Sequence, residues 1–165
     1  MRLTVVRGDI TEQDVDAVVN AASRRMRGGG GVDGAIHAAA GPGLLEECVE
    51  RFPHGLATGA AGWTTGHALP ARWVIHVVGP DFTAGERDRT LLESCYRGAL
   101  GVADELGATS VAFPLVSAGI YGWPLADAVD AAVDTVRSTP TEVGEVRFVA
   151  FNDKIFRHLW DRCEI

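Results

Sequence analysis

Two glycine-rich segments hold the residues of this chain that are best suited to chemistry. One has the sequence GGGGVDG at residues 28–34, and the other has the sequence SAGIYG at residues 117–122. Successive glycines allow backbone N–H groups to point at one spot, and a helix that begins there adds a partial positive charge. One such segment suits a phosphate, so the pair suits a diphosphate.

The first segment differs from two common nucleotide-binding patterns. No Gly-Lys-Ser/Thr sequence follows its glycines, as it would in a Walker A loop. The segment also does not lie at the first strand-to-helix turn of the chain, where a dinucleotide-binding G-x-G-x-x-G motif belongs. Hydrolysis of nucleoside triphosphates and binding of a nicotinamide cofactor are therefore disfavoured.

Asp33 lies in the first turn of the helix that residues 31–40 are predicted to form. As a structural residue, it would complement the helix dipole, which is worth a few tenths to about one kcal/mol. As a functional residue, its carboxylate would accept a hydrogen bond from a sugar hydroxyl or orient a water molecule beside the phosphates. Position alone leaves both interpretations open.

The composition is typical of a soluble globular protein with one domain. The chain has 165 residues, of which 47% are hydrophobic and 22% are charged, and its net charge is -7. This acidic balance argues against extended contact with a nucleic-acid backbone, which needs a basic surface. It does not argue against a small anion held by backbone dipoles, and a terminal phosphate or a single modified base of a nucleic acid stays open as a weaker alternative.

The residues that commonly bind metals show no metal-site pattern. Cys48, Cys95 and Cys163 are far apart and form no C-x-x-C pair, which also argues against a disulfide framework. We expect no metal and no cofactor. The chain shows no signal-peptide pattern and no apolar run that could span a membrane, so we expect a cytoplasmic protein, with a monomer as the default state.

Predicted strands and helices alternate along most of the chain. Strands are predicted at residues 3–7, 15–20, 73–78, 110–113 and 146–151, and helices at residues 31–40, 44–52, 89–106, 125–137 and 154–163. Residues 51–62 show no regular pattern. This alternation predicts an α/β fold with a parallel or mixed sheet between helices, and ligands of such sheets bind at the carboxyl ends of the strands.

Polar side chains follow four of the predicted strands, where such a ligand would bind. They are Asp9, Asn20, Ser117 and Asn152, and the aromatic Phe151 precedes the last of them. Asp9 would either cap the following turn or accept a hydrogen bond from an adenine amino group. Phe151 would either join the core or stack on a base.

Several runs of sequence resemble the macrodomain family, of the MacroD type. They are GDIT at residues 8–11, VVNAA at 18–22, GGGGVDGAIH at 28–37, VIHVVGP at 74–80 and SAGIYGWP at 117–124. The resemblance covers almost the whole chain in one order. It implies a single macrodomain over residues 1–165, built as a three-layer α/β/α sandwich around a mixed, mostly parallel sheet, which binds ADP-ribose.

The resemblance assigns a place to each part of that ligand. Asp9 and Ile10 would hold the adenine, and Phe151, followed by Asn152, would stack on it. The diphosphate would lie between Gly28, Gly29, Gly30, Gly31 and Val32 on one side and Ser117, Ala118, Gly119, Ile120, Tyr121 and Gly122 on the other. Asn20, Asp33 and Tyr121 would surround the distal ribose.

Family members of this type remove ADP-ribose from acidic side chains of proteins, and many also deacetylate O-acetyl-ADP-ribose. The resemblance therefore implies hydrolysis of an ester at the distal ribose, without a cofactor. Asp33 would orient or activate the water, and Asn20 and Ser23 would complete the catalytic group. The implied partners are ADP-ribosylated proteins and free ADP-ribose.

The family motif usually contains Asn-Ala-Ala-Asn, and this chain has Ser23 in place of the second asparagine. A hydrogen bond lost in this way is worth about 0.5–1.5 kcal/mol. The substitution leaves a second hypothesis open, that of a non-catalytic ADP-ribose reader. Arg24, Arg25 and Arg27 make the adjoining segment unusually basic, and they would either contact an acidic target protein or be solvated.

Overall fold

The computed structural model describes residues 1–163. Within these residues the strands are β1 (Arg2–Arg7), β2 (Ala17–Ala21), β3 (Ala61–Thr65), β4 (Trp73–Val77), β5 (Ser110–Phe113) and β6 (Glu145–Ala150). The α-helices are α1 (Gly31–Ala40), α2 (Pro42–Arg51), α3 (Arg89–Leu106), α4 (Leu125–Ser138) and α5 (Asp153–Cys163). The strands form one sheet in the order β1-β6-β5-β2-β4-β3. All neighbours are parallel except β3, which runs antiparallel to β4.

Helices cover both faces of the sheet, because each central strand is apolar on both sides. In β2, Val18 packs in a cluster with α1 and α2, whereas Val19 packs in a second cluster with α3, α4 and α5. In β4, Val74 and Ile75 divide between the same two clusters. Near-continuous apolar strands are typical of parallel sheets buried on both faces. The predicted three-layer sandwich with a mixed, mostly parallel sheet is confirmed.

Strand β3 is the element that the sequence does not predict. Its five residues include Gly62, and Thr64 is the one fully buried side chain among them. The strand forms because its backbone pairs with β4 at the edge of the sheet. The ring of Phe52 also lies where a Cβ of Gly62 would be, at 2.7 Å. Tertiary contacts therefore decide this strand, since its local pattern is weak.

Helix α3 connects the core to the segment that follows β5. Its Tyr96 is fully buried beside Phe113 and Phe148, with ring centroids 5.4 and 6.4 Å away. The Tyr96 hydroxyl oxygen accepts a hydrogen bond of 3.0 Å from the backbone N–H of Val116. Burial raises the pKa of Tyr96, so the hydroxyl is neutral at ordinary pH. Neither α3 nor any other described helix is both long and apolar enough to cross a membrane.

Replacing Tyr96 with phenylalanine is expected to lower the free energy of unfolding by about 1–3 kcal/mol, because the buried N–H of Val116 loses its acceptor. Urea denaturation measures this change. The second tyrosine of the chain provides a matched control, since Tyr121 is partly exposed and its change to phenylalanine should cost less than about 0.5 kcal/mol. Equal urea midpoints for Y96F and the unmodified protein would contradict the assignment.

Candidate functional site

A cavity of about 770 Å³ opens where β1, β2, β5 and β6 end. This volume falls in the usual range for small-molecule sites, and the position follows the rule for ligands of parallel sheets. The predicted site residues that line it are Asp9, Ile10, Ser23, Gly29, Gly30, Gly31, Val32, Asp33, Ser117, Ala118, Gly119, Ile120, Tyr121 and Phe151. Four others, Asn20, Gly28, Gly122 and Asn152, do not belong to the lining.

The lining of the cavity contains no lysine, arginine or histidine among the described residues. Its carboxylates are Asp9 near one end and Asp33 near the other. Any phosphate bound between them must therefore be held by main-chain N–H groups and hydroxyl groups. Over residues 1–163, no group of three His, Cys, Asp or Glu side chains has a metal-binding arrangement.

The first glycine segment supplies unpaired N–H groups from the start of α1. The helix begins at Gly31, and its N-cap residue, Gly30, has no side chain that could bond them. Gly28 and Gly31 have φ angles of +87° and +60°, which side-chain-bearing residues rarely adopt. Gly28 lies behind the cavity, where its carbonyl oxygen accepts a 3.4 Å hydrogen bond from Ser23 Oγ.

The second glycine segment folds into a compact turn. The N–H of Trp123 donates to the carbonyl oxygen of Ser117 at 2.9 Å, and the N–H of Gly122 donates to that of Gly119 at 3.0 Å. Gly122 therefore closes the turn rather than lining the cavity. For residues 119–121, no backbone carbonyl in the described chain accepts a hydrogen bond from their N–H groups. These N–H groups are available to a ligand.

The two segments approach each other across the cavity through Ile120. This side chain is 71% exposed, yet its Cδ1 atom lies 3.2 Å from the place where a Cβ of Gly30 would be. A side chain at position 30 would therefore displace Ile120 or close the gap between the segments. Glycine at this position keeps the two sets of N–H groups on opposite walls of one cavity.

One oxygen of the Asp33 carboxyl group is fixed by neighbouring side chains, and the other is available to a ligand. Asp33 is only 4% exposed. Its Oδ1 accepts a 2.9 Å hydrogen bond from Asn20 Nδ2 and lies 3.4 Å from His37 Nε2. Its Oδ2 lies on the side of Gly29, 3.3 Å from a Cβ built there, and accepts no hydrogen bond from the described residues. This second oxygen is the one that a ligand or a water can reach.

Asn20 lies behind Asp33, which differs from the predicted direct contact with a ribose. It is fully buried at the end of β2, and its Nδ2 atom donates both to Asp33 and to His76 Nδ1, the latter at 3.1 Å. Its Oδ1 atom has no hydrogen-bond partner among the described residues. The side chain is placed here because β2 alternates, and Asn20 shares the face of Val18.

The opposite end of the cavity is formed by residues after β1 and β6. Asp9 caps the following turn, because its Oδ1 accepts from the N–H and the hydroxyl of Thr11 at 2.9 and 2.7 Å. Its Oδ2 is left to face a ligand, so the capping role and the binding role are compatible. Phe151 is 66% exposed and lines the cavity. Asn152 instead accepts a hydrogen bond from the N–H of Ile155 and fixes the start of α5.

The wall beside Tyr121 includes a segment that the sequence does not reveal. The N–H of Thr83 donates to the carbonyl oxygen of Tyr121 at 3.1 Å, and Glu86 forms an ion pair of 3.2 Å with Arg24. Burial raises the pKa of Tyr121, and the carboxylate of Asp81 adds to this shift, so its hydroxyl is a neutral donor at ordinary pH. Residues 81–87 show no periodic pattern, which is why they could not be assigned to the site.

Arg27 binds backbone carbonyl groups of the protein itself, which distinguishes it from its basic neighbours Arg24 and Arg25. Its guanidinium donates to the carbonyl oxygens of Phe52, Pro53 and Cys48 at 3.1, 3.3 and 3.4 Å. These carbonyls lie at the C-terminal end of α2 or just after it, where a cation also complements the helix dipole. Arg27 thereby ties α2 to the first glycine segment, so the predicted choice between target contact and simple solvation does not apply to it.

Replacing Arg27 with alanine is expected to reduce the free energy of unfolding by about 1–3 kcal/mol, because several carbonyls lose a charged donor. The matched control is Arg25 to alanine, an exposed change two residues away that should cost less than about 0.5 kcal/mol. Thermal or urea unfolding compares the two. A cost for R27A no larger than that for R25A would contradict the structural role.

Comparison with known proteins agrees with this architecture. The sequence model of the Macro domain family matches residues 19–132. A macro domain-containing protein of Streptomyces nogalater is 53% identical over 167 residues, covering 96% of this chain and 92% of the relative. Another, from Streptomyces coelicolor, is 54% identical over 158 residues, covering 93% of this chain and 94% of the relative.

Solved structures give the same result. A mutant of the Oceanobacillus iheyensis macrodomain, with ADPR, has a TM-score of 0.89 at 37% identity and covers 96% of this chain and 89% of its own. The Trypanosoma brucei macrodomain in complex with ADP-ribose has a TM-score of 0.90 at 39% identity and covers 98% of this chain and 68% of its own. On the family match and these similarities, the chain belongs to the macro domain family.

Proposed function

We propose that this protein binds ADP-ribose and hydrolyses the ester that joins ADP-ribose to aspartate or glutamate side chains of proteins. In this proposal it is a macrodomain of the MacroD type, which also removes the acetyl group of O-acetyl-ADP-ribose. One observation carries the proposal: two sets of unpaired backbone N–H groups face each other, with a buried, anchored carboxylate beside them.

The arrangement of the residues that line the cavity suits the three parts of ADP-ribose. The adenine stacks on the exposed ring of Phe151, and its amino group donates to Asp9 Oδ2. The diphosphate lies between the two glycine segments and accepts hydrogen bonds from their N–H groups. The distal ribose then reaches Asp33, Ser23 and Tyr121 at the other end. Two similar macrodomains, described with ADPR and with ADP-ribose, support this choice of ligand.

The proposed reaction is a hydrolysis at the distal ribose. Water adds its oxygen to the ester, the ester bond breaks, and free ADP-ribose and a carboxylic acid are formed. Asp33 Oδ2 orients the attacking water, because Oδ1 is already occupied by Asn20. The bound diphosphate is the second anion near the water and helps to accept its proton. Asn20 acts through Asp33, so we assign it a positioning role, whereas Ser23 contacts the ribose.

No cofactor takes part, because water and the carboxylate of Asp33 suffice for ester hydrolysis. The protein acts as a monomer in the cytoplasm on ADP-ribosylated proteins. Its net charge of -7 argues against nucleic acid as the main substrate.

Replacing Asp33 with alanine is expected to abolish turnover while ADP-ribose affinity stays within roughly tenfold, because the N–H groups supply most of the binding energy. Release of labelled ADP-ribose from an auto-modified transferase measures turnover, and calorimetry measures the Kd. Asp9 to alanine is the matched control, since it should weaken binding and leave the bound substrate reactive. Unchanged turnover in D33A would rule out the catalytic role.

A second function, that of a non-catalytic reader of ADP-ribose, is favoured by Ser23. This side chain replaces the family's usual asparagine and donates only a long hydrogen bond, 3.4 Å, to the carbonyl oxygen of Gly28. A reader would bind ADP-ribose tightly and release no label in the same assay. Substrates linked through acidic, serine and arginine side chains, run in parallel, distinguish a reader from a hydrolase of another linkage.

Replacing Ser23 with asparagine tests how much the missing amide matters. If the protein is a hydrolase, S23N should raise kcat by about two- to tenfold, the equivalent of one hydrogen bond. Single-turnover release of ADP-ribose at saturating enzyme gives the rate directly. Ser23 to alanine is the control and should lower the rate. A slower S23N variant would show that the serine is adapted to this cavity.

A further inference from the structure

Four buried polar side chains form one chain of hydrogen bonds that ends at Asp33. Thr64 Oγ1 lies 2.9 Å from His76 Nε2, and His76 Nδ1 lies 3.1 Å from Asn20 Nδ2. Asn20 Nδ2 in turn donates to Asp33 Oδ1 at 2.9 Å. Thr64, His76 and Asn20 are all 0% exposed. The chain of contacts crosses β3, β4, β2 and α1.

The register of the sheet brings these residues together. Asn20 and His76 are direct partners in the parallel pairing of β2 with β4. Thr64 is two residues from Gly62, which is the partner of His76 across the β3–β4 pair. Because successive side chains alternate, all three point to the face covered by α1 and α2. That is the face on which α1 places Asp33.

The hydrogen-bond pattern determines the state of the imidazole. Asn20 must turn Nδ2 toward Asp33, because its carbonyl oxygen would face the carboxylate oxygen unfavourably. The second N–H of the same Nδ2 then points at His76 Nδ1, which has to be an acceptor. The ring proton is therefore on Nε2 and is donated to Thr64 Oγ1. Burial lowers the pKa of His76 to about 3, with the nearby His37 as a smaller cause, so the ring is neutral.

We propose that His76 is a positioning residue for Asp33: by accepting a hydrogen bond on Nδ1, it fixes the Asn20 amide so that Asn20 donates to Asp33 Oδ1. Thr64 contributes to the same positioning, because its Oγ1 accepts a hydrogen bond from His76 Nε2 and so keeps the ring proton on that nitrogen. Neither residue lines the cavity, so neither contacts the ligand. This inference rests on the proposed hydrolysis as far as turnover is concerned, but the hydrogen bonds themselves can be tested without it.

The proposed role explains why a polar ring occupies an apolar strand. The neighbours of His76 in β4 are Val74, Ile75 and Val77, and all are fully buried. If His76 served packing alone, its two ring nitrogens would need hydrogen-bond partners, but these partners would not have to connect the ring to Asp33. Here both ring nitrogens are used, and one of them reaches the buried carboxylate through a single side chain. A carboxylate misplaced by about 1 Å loses on the order of a hundredfold in rate.

Two substitutions separate positioning from packing. Replacing His76 with leucine keeps a side chain of similar volume and removes the Nδ1 acceptor. Replacing His76 with asparagine keeps an acceptor oxygen near the position of Nδ1. For H76L we expect kcat to fall about ten- to a hundredfold while the Kd for ADP-ribose changes less than about threefold. For H76N we expect at least about a third of the original kcat to return. Thr64 to valine should lower kcat by a smaller factor.

Some kinetic results would overturn the proposal. These results are an unchanged kcat in H76L, a Kd in H76L that weakens by the same factor as kcat, and a kcat in H76N no higher than that in H76L. Each of these outcomes would assign His76 to packing alone. If the unmodified protein shows no turnover, the proposed hydrolase function is wrong. The hydrogen bonds from Thr64 to Asp33 are then tested by the NMR experiment alone.

Nitrogen-15 NMR of the unmodified protein tests for the hydrogen bonds of His76 and Asn20 in the absence of substrate. We expect His76 to keep the neutral Nε2–H form from pH 5 to pH 8, about the range over which exposed histidines titrate. We also expect the Asn20 side-chain N–H signals to be protected and to lose this protection in H76L. A protonated ring, an Nδ1–H form, or unchanged Asn20 signals in H76L would overturn the proposal whatever the turnover.

Discussion

Binding of an anion by main-chain N–H groups is the constraint on which the rest of this structure depends. The cavity has no basic side chain in its described lining, so the two glycine segments must supply the positive ends of the dipoles. Glycine at positions 28 and 31 permits the backbone conformation, and glycine at position 30 leaves room for Ile120 to approach from the opposite wall. A site built in this way is selective for compact anions and needs little formal charge, which is compatible with an acidic protein.

The same architecture places the carboxyl group of Asp33 beside the proposed phosphate site. A buried carboxylate is costly unless it is hydrogen-bonded, and Asn20 provides that bond to one oxygen only. The other oxygen is left to a ligand or a water molecule. In this account, the orientation of the Asn20 amide decides which oxygen is anchored, and that orientation depends on the neutral imidazole of His76 on β4, the strand next to the edge strand β3. In the proposed function, binding and catalysis therefore use different parts of the fold: loops hold the diphosphate, whereas α1 carries the carboxylate and side chains of β2 and β4 orient it.

The local sequence pattern predicts most of the secondary structure of this molecule. It fails where contacts between distant residues determine the structure. Helices α1 and α3 were predicted to the residue, because their apolar spacing and their glycine boundaries are strong. The α/β/α arrangement is confirmed. Strand β3 was missed, because its pairing with β4 stabilises it rather than its own sequence. Asn20 was expected at the ribose and lies behind Asp33, since the direction of a side chain depends on a register that a sequence does not state. The contacts of the site residues with ADP-ribose stay predictions.

Amide NMR during titration with ADP-ribose tests the central claim most directly. If backbone N–H groups hold the diphosphate, the amide signals of residues 29–32 and 119–121 should shift strongly with ADP-ribose and with ADP. They should shift little with adenosine, which lacks phosphate and should perturb only the neighbourhood of Asp9 and Phe151. The account would be contradicted if both segments responded equally to adenosine, or if neither responded to ADP-ribose at millimolar concentration.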